Sequence, residues 1–207
     1  MNAMQPTVCI VDDDDSVRRA LARMLGAHRY HTSIFDSARH FLDEVDLDGA
    51  PACAVIDLQM PEMDGIALQQ TLSQRIPIVI LTGHADVTNA VQAMQAGAVD
   101  FLEKPVQDQL LLRAVERACE RATEQFARKT ELRLLKQKVE RLTPREREVL
   151  AWIVSGLRNK QVASELGTVE KTIKVHRAHV MQKLEVDSLP ALVRIADKMG
   201  MGLVARA

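Results

Sequence analysis

Residues 7–17 read TVCIVDDDDSV, a five-residue run with four apolar side chains that stops at four consecutive aspartates. No polar alternation interrupts the apolar part, as expected for a strand buried on both faces of a parallel sheet. Four carboxylates directly behind such a strand repel one another and cost stability unless a positive group lies close. Part of the run has a plain cause. Aspartate is a good N-cap, and acidic residues suit the positive end of a helix dipole. That accounts for one or two of the four.

Outward from this stretch the pattern repeats. A helical signal runs through residues 16–27, with Val17, Leu21, Met24 and Leu25 on one face. Strand signals follow at HTSIF (31–35), ACAVID (52–57), PIVIL (77–81) and VDFLEK (99–104). Helical stretches separate them at 37–45, 65–74 and 87–97. Such βα alternation argues for a doubly wound α/β domain around a five-stranded parallel sheet, ending near Pro105. From Val106 one long helix is expected, free of Gly and Pro until Pro144. Its apolar positions Leu111, Val115, Ala118 and Ala122 suit packing as the last helix of the α/β domain. A second apolar series, Leu132, Leu135, Val139 and Leu142, has no sheet left to cover and reads as a dimer seam or a rigid strut. After Pro144 come four short helical signals, opened by the capping box TPRE at Thr143–Glu146. The expected organisation is therefore an α/β domain over 1–122, a linker helix over 123–142 and an all-α four-helix domain over 143–207.

The net charge of −1 hides an asymmetry. Residues 1–106 carry 7 basic and 15 acidic side chains, whereas residues 143–207 carry 11 basic and 7 acidic ones. An acidic front and a basic rear suggest two modules with different partners, the rear one suited to a polyanion. No apolar stretch reaches the roughly 20 residues of a membrane span, and MNAMQPTV lacks the features of a signal peptide. Cys9, Cys53 and Cys119 are too few and too scattered for a disulfide framework or a zinc site. A cytoplasmic protein with no membrane partner is expected.

In a doubly wound sheet, ligand groups gather at the carboxyl ends of the strands. The first strand delivers Asp12, Asp13 and Asp14 there, the third Asp57, the fourth Thr82, and the fifth Lys104 followed by Pro105. Carboxylates this close do not all stay ionised without a cation, and Mg²⁺ fits an oxygen-only donor set. Mg²⁺ beside a free aspartate suggests phosphoryl transfer, with Asp57 as nucleophile, Lys104 neutralising the transferring group and Thr82 hydrogen-bonded to one of its oxygens.

The combination of DDDD (12–15), VIDLQMPEMDG (55–65), LTGHAD (81–86) and VDFLEKP (99–105) resembles the receiver domain of bacterial two-component response regulators, in particular the FixJ-like group. The resemblance covers about residues 6–125 and implies a flavodoxin-like fold. It further implies that Asp57 is the phospho-acceptor, that Asp12 and Asp13 bind the metal, and that Gln59 lends its backbone carbonyl. Thr82 and Phe101 become the switch pair and Lys104 the phosphate-binding lysine, with a cis bond to Pro105. Asp14 stands between metal ligand and cap, and Asp15 reads as a helix-start residue.

In the basic rear, NKQVASELG and VEKTIKVHRAHVMQKL read as a helix-turn-helix with its turn at Gly167 and Thr168. Ile173, Val180 and Leu184 form the core side of the second helix. Lys171, Lys174, His176 and Arg177 are expected on the other side, which suits a major groove and its phosphate walls. From LTPRERE onward the segment is similar to the LuxR/NarL-type DNA-binding domain. That similarity places Lys174, Val175 and Ala178 against base edges with Arg177 nearby, and Lys160, Lys171, Thr172 and His176 against the backbone. Ala178 replaces a longer polar residue of some relatives, so its base contact is expected to be apolar, as with a thymine methyl. Val169 stands where many relatives carry a Ser or Thr N-cap, so Thr168 or a shifted start is expected to cap this helix.

The reading is a phosphorylation-controlled transcription factor, fed by a sensor histidine kinase and acting on double-stranded promoter DNA and RNA polymerase as a phosphorylation-induced homodimer. It is not an enzyme beyond Mg²⁺-dependent self-phosphorylation and dephosphorylation at Asp57. One rival is a metal-dependent phosphohydrolase with an aspartyl intermediate. Such enzymes usually carry a second acid two residues after the nucleophile, where this chain has Gln59. The other rival is a regulator that acts through protein contacts alone.

Overall fold

Five short strands carry the first half of the chain, and the first four hand over to helices whose caps are written in the sequence. The computed structural model describes residues 4–84 and 86–200. The strands are β1 (Thr7–Val11), β2 (His31–Phe35), β3 (Ala52–Asp57), β4 (Ile78–Thr82) and β5 (Asp100–Glu103). All pairings are parallel, in the order β2-β1-β3-β4-β5. The intervening helices are α1 (Asp15–Ala27), α2 (Ala38–Glu44), α3 (Gly65–Leu72) and α4 (Val87–Gln95). Asp14, Ser37, Asp64 and Asp86 cap them, each accepting a backbone N–H from the first turn.

Successive residues of the central strands serve opposite faces of the sheet, so the unbroken apolar runs fill two cores at once. Cys9, Val11, Ala54, Ile56, Ile78 and Ile80 belong to the cluster that holds Phe41, Leu68 and Leu72. Val8, Ile10, Cys53, Val55, Val79 and Leu81 belong to the other, with Leu21, Leu25 and Leu111. The three cysteines are buried, as small apolar side chains. Burial pushes the Cys9 thiol up to about 12.

Helix α5 (Asp108–Glu140) is continuous over 33 residues. Its first half buries Leu111, Ala114, Val115, Ala118, Cys119 and Ala122 in the second of these cores. Each fully buried leucine contributes roughly 1.5–3 kcal/mol. The expected end of that stripe at Ala122 is thus its observed end. The later apolar series is used differently. Leu132 and Leu135 are half-buried, while Val139 and Leu142 pack into a third core with Val149, Leu150, Ile153, Ile173 and Leu184.

That third core is built by α6 (Pro144–Val154), α7 (Asn159–Glu165), α8 (Glu170–Leu184) and α9 (Leu189–Lys198). The chain divides into two compact units, residues 1–127 and 128–207. The last turns of α5 bond within the second unit, through Lys138 to Glu185 at 2.7 Å and Glu131 to Lys198. The TPRE box forms in full: Glu146 N donates to the Thr143 hydroxyl, and Thr143 N donates to Glu146 Oε2.

Candidate functional site

Strand register brings the expected rim together. β1 lies between β2 and β3, so its exit faces that of β3 at the switch in strand order, with β4 and β5 following. Asp12 is 1 % exposed, Asp57 5 %, and Thr82 fully buried, whereas Asp13 is exposed. Lys104 Nζ donates at 2.6 Å to both Asp12 Oδ2 and Asp57 Oδ1. The remaining oxygens are also committed: Asp12 Oδ1 accepts Asp14 N at 2.9 Å and Asp57 Oδ2 accepts Gln59 N at 2.9 Å.

Backbone bonds set the positions of these groups. Leu58 N donates to Leu81 O at 2.7 Å, Lys104 N to Thr82 O at 2.7 Å, and Gly65 N to Leu58 O at 2.9 Å. A Cβ at Gly65 would lie 2.5 Å from the Asp57 carbonyl oxygen. Glycine there lets α3 start hard against the exit of β3. The Lys104–Pro105 peptide is cis, as expected.

Burial pushes the Asp57 carboxyl above its ordinary value; Lys104 and the Gln59 N–H oppose the rise, and the charge of Asp12 adds to it. Burial works to lower the Lys104 ammonium, but its bonds to Asp12 and Asp57 outweigh that and the net shift is upward. One ammonium thus faces two buried carboxylates. One ligand oxygen each from Asp12, Asp13 and Asp57 lies within 4.8 Å of the others, which fits a small divalent cation with oxygen ligands.

Asp14 is engaged as the α1 cap. Its Oδ1 accepts Ser16 N at 2.8 Å and the Ser16 hydroxyl at 2.6 Å, and these bonds hold its carboxyl below the usual range. Asp15 is the first residue of α1 and pairs with Arg18 and Arg19. Arg18 also donates to the Asp12 carbonyl at 2.6 Å, a tie across the aspartate run for which the local sequence carries no signal. Thr82 Oγ1 donates to the His84 carbonyl at 3.0 Å, and Phe101 is half-buried against the first core.

In the second unit, Lys171, Lys174, Val175 and Ala178 stand together on the exposed side of α8, one and two turns apart. Lys160 is exposed on α7, and Thr172 is half-buried. Lys174 pairs with Glu170 at 3.2 Å, and Arg177 reaches Asn159 Oδ1 at 3.4 Å. Ile173, Val180 and Leu184 are buried, as expected. His176 does not share the exposed side with Lys171 and Lys174, and Arg177, three residues after Lys174, stands at the border of that side. Both are half-buried, and the His176 Nδ1 atom is buried. Five residues at 100° each turn His176 well away from Lys171, toward α6. The start of α8 also differs from expectation: Val169 is its N-cap, 65 % exposed and without a side-chain bond, so neither Thr168 nor a shifted start supplies a cap.

Behind α8 lies a buried charge. Glu146, 3 % exposed, accepts Lys183 Nζ at 2.6 Å on the oxygen that also takes Thr143 N. Burial would raise its carboxyl, but those bonds outweigh it and hold it below the usual range. The capping box was legible, whereas Lys183 lies 37 residues away and carries no local signal.

A parallel five-stranded sheet with an acidic rim, followed by a helix-turn-helix unit, defines the class: a receiver joined to a DNA-binding output domain. The family described as response regulator receiver domain matches residues 8–116, and that of bacterial regulatory proteins of the luxR family matches residues 140–196. The transcriptional regulatory protein FixJ of Rhizobium meliloti (strain 1021) is 42 % identical over 199 residues, covering 95 % of this chain and 97 % of that one. The response regulator protein TmoT of Ectopseudomonas mendocina is 38 % identical over 202 residues, covering 96 % and 91 %. A solved structure of the response regulator StyR superposes with a TM-score of 0.81 at 43 % identity, covering 94 % of this chain and 99 % of that one. The chain belongs to the FixJ-like response regulators, receivers with a LuxR-family output domain.

Proposed function

We propose that the rim is the phosphoryl-accepting site of a two-component transcriptional regulator and that Asp57 is the residue modified. The observation that carries this is Lys104, held at 2.6 Å from both Asp12 and Asp57 in a rim with more carboxylates than cations. An Asp57 oxygen attacks the phosphorus of a sensor histidine kinase's phosphohistidine. The bond from phosphorus to the imidazole nitrogen breaks, and that nitrogen keeps the electron pair. Asp12, Asp13, the Asp57 carboxylate and the Gln59 carbonyl would hold Mg²⁺, with Asp14 left to its cap. When bound, the ion supplies charge neutralisation on the phosphoryl oxygens. Lys104 exchanges its bond to Asp57 Oδ1 for one to a phosphoryl oxygen. Thr82 gives up its bond to the His84 carbonyl to reach another, and Phe101 completes its burial.

Receiver function is proposed for residues 1–122, since Ala122 is the last residue of α5 buried against the sheet's core. Residues 123–142 act as the linker helix and 143–207 as the output domain. Phosphorylation drives homodimerisation through the face around residues 86–106. Val87, Val91 and Met94 support this, as exposed apolar side chains four and three apart on α4. Two α8 helices then read a two-part site in promoter DNA, about one helical turn apart. Lys174, Val175 and Ala178 face base edges, with Arg177 beside them. Lys160, Lys171 and Thr172 meet phosphates, whereas His176, turned toward α6, leaves the expected set of backbone contacts. RNA polymerase is the partner met at the promoter. No helix of the described residues is long and apolar enough to cross a membrane, and the proposed location is the cytoplasm.

The chain acts as a regulator, with self-phosphorylation and dephosphorylation at Asp57 its only chemistry. A phosphohydrolase is disfavoured by the Gln59 position and by the family matches over both units. Asp57→Asn should abolish Mg²⁺-dependent labelling by a small acyl phosphate, read by intact mass. Labelling that survives in this variant would overturn the assignment of Asp57.

A further inference from the structure

Among the described residues, one cluster of ligating side chains lies outside the acidic rim. Glu146, His176 and His179 each offer one ligand atom, all within 4.8 Å of one another. Glu146 is the third residue of α6, fixed there by the capping box. The two histidines stand three apart on α8, so their imidazoles leave the helix as neighbours. His179 Nδ1 lies 3.6 Å from Glu146 Oε1. Thr143 N and Lys183 Nζ both bond the other oxygen, Oε2, and leave Oε1 to His179.

A second observation points at a ligand. His176 Nδ1 is buried and has no hydrogen-bond partner. A buried ring nitrogen left unsatisfied costs free energy and calls for a cause. His179, with its side chain 52 % exposed, leaves a way in from solvent.

We propose that Glu146, His176 and His179 form a binding site for a borderline transition-metal cation, Zn²⁺ in particular, on the inner edge of α8. Two imidazole nitrogens and one carboxylate oxygen are a known three-ligand set for zinc, with a fourth position left to water. Mg²⁺ and Ca²⁺ prefer all-oxygen sets and belong at the rim. Metal–ligand bonds of about 2.1 Å in tetrahedral geometry place ligand atoms roughly 3.4 Å apart. His179 Nδ1 is already near that separation from Glu146 Oε1, at 3.6 Å, and the remaining closure falls to the side-chain torsions of the two histidines. Thr143 N and Lys183 act as the supporting contacts that orient the carboxylate, and the lysine's charge weakens the site relative to an isolated Glu–His–His set. A bound ion would tie α8 to the first turn of α6 and fix the ring of His176. This holds whether or not Asp57 is phosphorylated.

The test uses the full chain, stripped of metal and kept in excess Mg²⁺ so that the acidic rim does not compete. Co²⁺ is titrated as the spectroscopic stand-in, followed by Zn²⁺. The expected result is one equivalent of Co²⁺ with visible bands of low-coordinate imidazole ligation, displaced by Zn²⁺. His179→Asn should lose the bands or weaken binding roughly tenfold or more. His40→Asn, which alters the separate Asp36–His40–Glu44 group on the surface of the receiver, should leave them unchanged. Absence of bands in the wild type, or bands unchanged in His179→Asn, overturns the proposal. The first result would mean that water alone satisfies His176. Should His179→Asn melt early, the wild-type titration decides by itself.

Discussion

The two carboxylate clusters share one contact, a lysine ammonium at 2.6 Å, and differ in the balance around it. At the rim, Lys104 serves Asp12 and Asp57 at once with Asp13 alongside. In the second unit, Lys183 serves Glu146 alone, and two imidazoles replace the further carboxylates. The carboxyl shifts follow. Burial and Asp12 leave Asp57 raised, while the bonds from Lys183 and Thr143 leave Glu146 lowered. A buried ion pair with surplus charge of one sign favours a further cation, which agrees with the function proposed for the rim. A balanced pair is complete as it stands and works first as structure. Donor type sharpens the contrast, because an oxygen-only set selects hard cations and an imidazole-containing set selects borderline ones.

The largest effect is expected from removing Lys104. Lys104→Met leaves two buried carboxylates facing each other and takes away one donor to the transferring group. The rate of phosphorylation by a small acyl phosphate should fall about 10²–10³-fold, measured by intact mass against time. A fall of less than tenfold would mean that the lysine only balances charge.

Lys183→Met tests the other cluster. It strands a buried carboxylate and should cost about 1–3 kcal/mol, read as a lower melting temperature of the full chain with phosphorylation rate unchanged. The pH dependence has a definite sign. Glu146 sits below its ordinary value, so its contribution is present above the usual glutamate range and lost as pH falls through its folded value. Stability should therefore decline on acidification below about pH 4.5, and Glu146→Gln should flatten that part of the profile.

The smallest effect belongs to the outer side of α8, which carries the exposed cations. Lys174→Ala should weaken DNA binding and reduce the slope of log affinity against log salt by about 1. Its pairing with Glu170 is exposed and contributes little. An unchanged slope in a gel-shift series would remove Lys174 from the interface.

The rim was legible because strand exits fix where residues meet: once TVCIV and ACAVID are parallel neighbours, Asp12 and Asp57 converge. Asp14 was not decidable, since aspartate suits both cap and metal, and only its bonds to Ser16 separate the two. In the second unit, the core side of α8 follows from periodicity, yet residue type alone groups His176 with the exposed cations. Its burial depends on how α6 packs, which local pattern does not record. The missing cap at Val169 has the same origin: tertiary packing holds a helix start that lacks a capping side chain. Lys183 likewise pairs with Glu146 only after the third core has formed.

In the proposed function, chemistry at Asp57 controls what α8 does. The most direct test of this is the affinity of the purified chain for promoter DNA, with and without a small acyl phosphate in Mg²⁺. Binding should tighten on phosphorylation in the wild type, with dimerisation seen by sedimentation, and Asp57→Asn should not respond. Equal affinity in both states, or a response that persists in Asp57→Asn, would contradict it.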